Sequence, residues 1–345
     1  MTTIGSLFTG YGGLDTGVAM ALDPNARVAW TSDVEPGPCK LAATRWPDTP
    51  NLGDITQINW ATVEPVDIIC GGSPCQDLSL AGKRAGMATG TRSGLWESMA
   101  AAIETIRPRL VVWENVQGAL SARAYSPVES EPWMLGTRTN GPALRAAGRV
   151  AGDLAGLGYD CRWAVVRASD AGAPHQRARF FLIGYTYGQP WQLRRPARPR
   201  QTQGGRPQCE PTGPGLGPLM PTPQATYAPR SSPGYGPNLH EIATSADMSS
   251  FGPYAPAIAR WEQVTGRAAP PPTTPSRRAG GKPQLSARFV EWLMGLPDGH
   301  VTGPDLNLSR EHQLRLLGNG VVPQQAALAV SSLLQIVKGL EDADI

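Results

Sequence analysis

Apolar positions recur along this chain in two alternating rhythms. Short runs rich in Val, Ile and Leu near 4–8, 28–32, 66–70, 109–113 and 179–184 have the length and content of buried strands. Stretches with helical spacing follow near 13–22, 36–45 and 95–107. Another, near 140–157, has Gly158 as its stop and precedes a strand at 161–167. Strands and helices in alternation predict an α/β fold built on a doubly wound, mostly parallel sheet. The rhythm breaks near Tyr185. From there to about 283 the chain is rich in Pro, Gly, Arg and Ser, including the basic run 194–200 and the string Pro270-Pro271-Pro272, a composition shared by linkers and loop-rich lobes. Within it, 254–261 has enough apolar periodicity for one helix, and a final helix is predicted at 324–337. The expected organisation is therefore 1–184, 185–283 and 284–345, with the last segment returning to the first.

Composition narrows the picture only a little. At 345 residues the chain is long enough for one large domain and a smaller one. The net charge is +3, from 31 basic and 28 acidic residues, too mild for a general nucleic-acid binder, so any such contact rests on local clusters of arginine. Five cysteines without framework spacing read as reduced thiols of a cytoplasmic protein. No cluster reads as a metal site. The chain enters its first strand without a basic leader, and no apolar stretch of membrane-spanning length is evident, so neither export nor insertion is expected.

Candidate chemistry gathers at the strand ends. Gly71-Gly72-Ser73-Pro74-Cys75-Gln76 follows the run 66–70 and places Cys75 where an α/β sheet does its chemistry, whereas Cys70 reads as an inert core thiol. Phe8-Thr9-Gly10-Tyr11-Gly12-Gly13-Leu14-Asp15 links the first strand to the first helix. Such a turn brings main-chain N–H groups up to a ligand, although its spacing is not that of the dinucleotide fingerprint. Asp33 and Glu35 end the second strand, where nucleoside-binding folds grip ribose hydroxyls, and Asp54 of Gly53-Asp54-Ile55 is placed to accept from an adenine amino group.

Taken in order, these motifs resemble the DNA cytosine-5 methyltransferase family. Phe8-x-Gly10-x-Gly12-Gly13 is similar to its S-adenosylmethionine loop, Asp33 to its ribose acid (more often Glu), Gly53-Asp54-Ile55 to its adenine contact and Pro74-Cys75-Gln76 to its nucleophile motif. Glu114-Asn115-Val116, expected after the strand 109–113, resembles E-N-V, and Gln176-Arg177-Ala178-Arg179 an arginine pair. The segments 289–295 and 317–323 are similar to the last two motifs. The resemblance covers about 1–185 and 284–337 and implies a Rossmann-like class I methyltransferase with a smaller target-recognition region at 185–283. It implies S-adenosyl-L-methionine as cofactor, held by Phe8, Gly10, Gly12, Gly13, Leu14, Asp33, Val34, Asp54, Ile55, Pro74, Leu95, Asn319 and Val321. Double-stranded DNA is the implied partner of a monomeric enzyme.

The chemistry accords with that resemblance. Cytosine C5 is too poor a nucleophile to take a methyl group unaided, so a thiolate must first add to C6, and Cys75 is the suitably placed cysteine. Glu114 is expected to relieve the developing charge at N3, with Asn115 steadying its loop. Arg177 and Arg179, alternating on a segment that continues into the strand at 179–184, are expected to share a face; by resemblance Arg179 holds the cytosine O2 and Arg177 braces a loop or a phosphate. The base must leave its stack, and the glycine-rich basic stretch 77–94 reads as a mobile lid. Two departures stand out: His175 where the family often has Gln, and Ser73 where it usually has a bulkier residue. The rival readings are an RNA cytosine methyltransferase and a catalytically silent DNA-binding protein.

Overall fold

The computed structural model describes residues 1–73, 95–117, 123–124, 144–186, 218–225, 238–245, 251–276 and 281–341. Its centre is a six-stranded sheet of β1 (Thr3–Leu7), β2 (Arg27–Ser32), β3 (Ile68–Gly71), β4 (Leu110–Val116), β7 (Asp160–Val166) and β8 (Arg179–Tyr185), in the order β2-β1-β3-β4-β8-β7. β1 to β4 run parallel and β8 alone is reversed, pairing antiparallel with β4 and β7. Two short ladders lie outside it: β5 (Arg123–Ala124) with β6 (Leu144–Arg145), and β9 (Thr273–Thr274) with β10 (Gln284–Leu285). The helices are α1 (Gly13–Leu22), α2 (Pro36–Arg45), α3 (Leu95–Ile106), α4 (Ala146–Gly156), α5 (Leu239–Ala243), α6 (Ala255–Thr265), α7 (Ala287–Leu293), α8 (Arg310–Asn319) and α9 (Pro323–Glu341).

Alternation along the strands divides the core. Ile69, Val111, Trp113, Phe180 and Leu182 face α3 and α4, while Ile68, Leu110, Val112, Phe181 and Ile183 face α1 and α9. A parallel sheet covered on both faces needs such apolar runs, because neither face meets water. α4 ends at a left-handed Gly158 whose N–H reaches back to Ala155, as the sequence predicts. A third core joins Met220, Leu239, Ile242, Ile258 and Trp261 to Phe289, Trp292 and Leu317. The described parts of 185–283 are therefore packed structure and not merely a linker.

Several expectations need correction. β4 runs to Val116, so Glu114 and Asn115 lie within the strand and not after it; the reversed β8 supplies ladder partners as far as Val116 opposite Arg179. α8 was not foreseen. Arg310–Lys338, spanning α8 and most of α9, does reach the length and hydropathy of a membrane span, contrary to the sequence reading. It is interrupted between Asn319 and Pro323, and α9 buries Ala326, Val330, Leu333 and Val337 in the core it shares with α1.

Candidate active site and cofactor pocket

The chain passes from β1 outward to β2 and then returns to β3 on the other side of β1, so the strand order reverses between β1 and β3. In open α/β sheets the crevice beyond the carboxyl ends of the strands at such a switch point receives the ligand. The glycine turn leaves β1 there and the segment Gly72-Ser73 leaves β3. β8, being reversed, brings its first residue, Arg179, to the same edge.

On the β3–β4 side, the alternation that sends Leu110 and Val112 toward α1 also sends Glu114 that way. Arg179 shares this face two residues before Phe181, the ladder partner of Glu114. The two side chains meet as Arg179 Nε to Glu114 Oε1 at 2.9 Å, both largely buried. Burial raises the Glu114 carboxyl above the usual carboxylate range, opposed by the charges of Arg179 and Arg177. Gly72 makes room for this acid: a Cβ at that position would lie 2.8 Å from Glu114 Oε2.

Ser73 is buried and used. Its Oγ accepts from Trp113 Nε1 at 3.1 Å, and its carbonyl accepts from Asn115 Nδ2 at 3.4 Å. The residues flanking Glu114 thus pin the one that precedes Pro74. Pro74 and Cys75 themselves, like the 77–94 stretch and the 194–200 run, lie outside the described residues.

The arginine pair is not a strand pair. Arg177 lies before β8 with a positive φ of 37°, and its guanidinium donates to Pro223 O and Gly318 O at 2.8 Å and to Gly320 O at 2.5 Å. At 3% exposure it binds its own segment to two others, the one at Pro223 and the 318–321 turn. His175, the departure from the family pattern, is fully buried and donates from Nε2 to Leu293 O at 3.1 Å. Burial, aided by the charge of Arg177, holds its imidazole down at about 3.

On the β1–β2 side, Gly10 and Gly12 adopt left-handed φ angles of 57° and 77°, which only glycine takes without strain, and Gly12 caps α1. Gly13 touches the 318–321 turn, since a Cβ there would lie 2.1 Å from Val321 O. Tyr11 reaches the same turn, donating from its hydroxyl to Val321 O at 2.8 Å, and His300 Nε2 donates to Tyr11 O at 2.8 Å. Phe8 is half-buried at φ 55°. Asp33 accepts from Gly10 N and Glu35 N, each at 2.9 Å, tying the turn to the end of β2; burial raises its carboxyl. Val34 beside it is 63% exposed. Asp54 caps a short 3-10 turn by accepting from Thr56 N and Oγ1, and Asn319 is exposed at the end of α8. Leu14 and Ile55 lie in separate buried cores, and half-buried Leu95 opens α3 against the one that holds Ile55.

Beneath the turn, buried Asp15 accepts from Cys70 Sγ at 2.9 Å. Burial pushes its carboxyl up to about 6, against the pull of hydrogen bonds from Cys70 and Ser6. Sequence reasoning passed over Tyr11, Asp15, Asn51 and Trp113, because what recruits each is a partner distant along the chain. Among the described residues no three His, Cys, Asp or Glu side chains gather as a metal site would require.

Comparison with known proteins gives this geometry a family. The profile of the C-5 cytosine-specific DNA methylases matches residues 2–334. The Type II methyltransferase M.NlaIV of Neisseria lactamica is 30% identical over 187 residues, 53% of this chain and 41% of that protein. M.AquIA of Picosynechococcus sp. is 32% identical over 200 residues, 55% of this chain and 75% of that protein. The chain thus spans about two-fifths of the length of the first relative and three-quarters of the second. The crystal structure of the S. pombe Dnmt2 methyltransferase superposes with a TM-score of 0.57 at 13% identity, covering 98% of this chain and 99% of that one, a likeness of fold. With the profile running over nearly its whole length, the chain belongs to the C-5 cytosine-specific DNA methylase family.

Proposed function

We propose that the protein methylates C5 of cytosine in a specific duplex DNA sequence, acting in the cytoplasm on a base flipped out of its stack. The observation that carries this reading is Glu114: a buried acid with a raised pKa, held by Arg179 opposite Gly72, three residues before Cys75. An acid whose pKa is raised by burial is suited to give a proton to cytosine N3 while the Cys75 thiolate adds to C6 and electron density moves to C5. The N3 proton is donated as the carbon–sulfur bond forms. After methylation, loss of the C5 proton to water, expulsion of the thiolate and return of the N3 proton to the Glu114 carboxylate restore neutral, aromatic 5-methylcytosine and the starting acid. S-adenosyl-L-methionine supplies the electrophilic methyl group. The residues present fit that group: a turn with free space beside Gly10, Asp33 with a second lone pair on each oxygen for ribose hydroxyls, exposed apolar Val34 and Asp54 for the adenine amino group.

Duplex DNA carrying 5-fluorocytosine tests the reading, because fluorine at C5 blocks release of the enzyme. Wild type should form a covalent adduct, Cys75→Ser none, and Glu114→Gln should form it slower by orders of magnitude with cofactor affinity intact. An adduct on Cys75→Ser, or a Glu114→Gln defect confined to cofactor binding, overturns the assignment. Adduct on RNA and none on DNA would favour the RNA enzyme.

A further inference from the structure

The two acids assigned to the nucleoside, Asp33 and Asp54, stand on separate loops, and one side chain joins those loops. Asn51 extends the sheet by a parallel bridge to Thr31 beyond the edge of β1–β2 pairing, with Thr31 N donating to Pro50 O at 2.9 Å and Leu52 N to Thr31 O at 2.8 Å. Its Oδ1 accepts from Asp33 N at 3.1 Å and Gly53 N at 3.2 Å. Its Nδ2 donates to Asp33 O at 3.1 Å and Cys39 Sγ at 3.3 Å. An amide has two acceptor and two donor places, and here all four are filled. The amide orientation is unambiguous, since a flipped group would set its hydrogens against two N–H donors. Ser32 Oγ adds a second tie, donating to Gly53 O at 2.7 Å.

We propose that Asn51 is a positioning residue for the cofactor, setting the separation of Asp33 and Asp54 so that one nucleoside meets both acids. Asp33 is gripped through its own N–H and carbonyl, and Asp54 through the N–H of Gly53 beside it, so the side chain acts on the direction of each acid without touching ligand. No other residue type of this length offers both signs of hydrogen bond. Asp at 51 loses the donors, and Ser or Thr is too short to span both loops. Cys39 receives one of the four bonds and is a support, not the object, of the arrangement.

The inference rests on the cofactor reading above, and its test separates the two. Isothermal titration measures binding of S-adenosylhomocysteine and of its inosine analogue, in which a carbonyl replaces the adenine amino group that Asp54 would meet. Wild type should prefer the adenine form. Asn51→Ala should weaken S-adenosylhomocysteine binding about tenfold and collapse that preference toward unity. It should raise KM for S-adenosylmethionine while leaving kcat at saturation within about twofold. Cys39→Ala should change binding less than about twofold. Should Asn51→Ala not fold, the isosteric Asn51→Asp keeps the accepted bonds, removes the donated ones, and carries the same test with a loss of about threefold. An undiminished adenine preference in the folded variant, or an equal loss in Cys39→Ala, overturns the role of Asn51. If Asp33→Ala and Asp54→Ala also bind S-adenosylhomocysteine like wild type, the cofactor pocket itself is misassigned.

Discussion

Ser73 and Asp15 show how much one buried polar atom decides here. Ser73→Ala would leave Trp113 Nε1, on a side chain with no exposure, without its acceptor, at a cost of about 1–3 kcal/mol. Urea unfolding should show that loss, trapping of 5-fluorocytosine should slow, and cofactor affinity should hold. Adding Trp113→Phe to it should cost less than the sum of the single changes, because the donor is then gone too. Asp15 titrates at about 6 against about 4 for an unfolded Asp. The folded state therefore keeps the proton to higher pH than the unfolded chain. Stability from this group is full below about pH 4 and is lost as pH rises through about 6, a change of about 3 kcal/mol. Asp15→Asn, which mimics the protonated form, should gain on wild type by about that amount between pH 4 and 7.5 in urea titrations. A difference that does not vary with pH would mean that Asp15 ionises as freely as in the unfolded chain.

At the level of elements, the reversed strand β8 explains why Arg179 and Glu114 meet. Running antiparallel beside β4, it presents its beginning, and so Arg179, to the end of β4 that carries Glu114. Arg177, just before the strand, turns away through its positive φ and fastens the 318–321 turn instead. Tyr11 fastens the same turn from the glycine turn after β1, so one turn is held by both halves of the candidate site. Arg177→Lys keeps the charge, but an ammonium lacks the planar fork that reaches three carbonyls at once. We expect a loss of about 2–3 kcal/mol and faster amide exchange at Gly320, Val321 and Val322, measured by hydrogen–deuterium exchange. Unchanged exchange there would show that Tyr11 holds the turn alone.

Across the whole molecule, residues from both chain ends and from the middle segment build one body. Met220, Ile258 and Trp261 share a core with Phe289 and Leu317, so the middle segment is anchored by the same packing that positions the C-terminal return. Base reading needs side chains in a groove, and we propose that 185–283, which carries no cofactor or catalytic candidate, supplies them. Exchanging it for the equivalent region of a related enzyme, with those anchor residues kept, should change which sequence is methylated and leave the reaction intact, as bisulfite sequencing reads. An unaltered pattern would place recognition in 77–94.

The succession of strands and helices along the first half of the chain and the glycine turn after β1 were legible in the amino-acid sequence, because hydrophobic period and glycine turns are local signals, whereas the strand order that makes a switch point was not. Strand β3, helix α1 and Gly158 needed no distant partner to be read. What the tertiary structure alone decided was pairing. Glu114 joined β4 because β8 arrived to extend the ladder, Arg177 became a clamp because three carbonyls converged on it, and Ser73 found an indole 40 residues away. Tyr11 and Val321 meet across 310 positions. Hydrogen bonds of that span leave no periodic trace, since each donor is satisfied by geometry that exists only after the cores have packed.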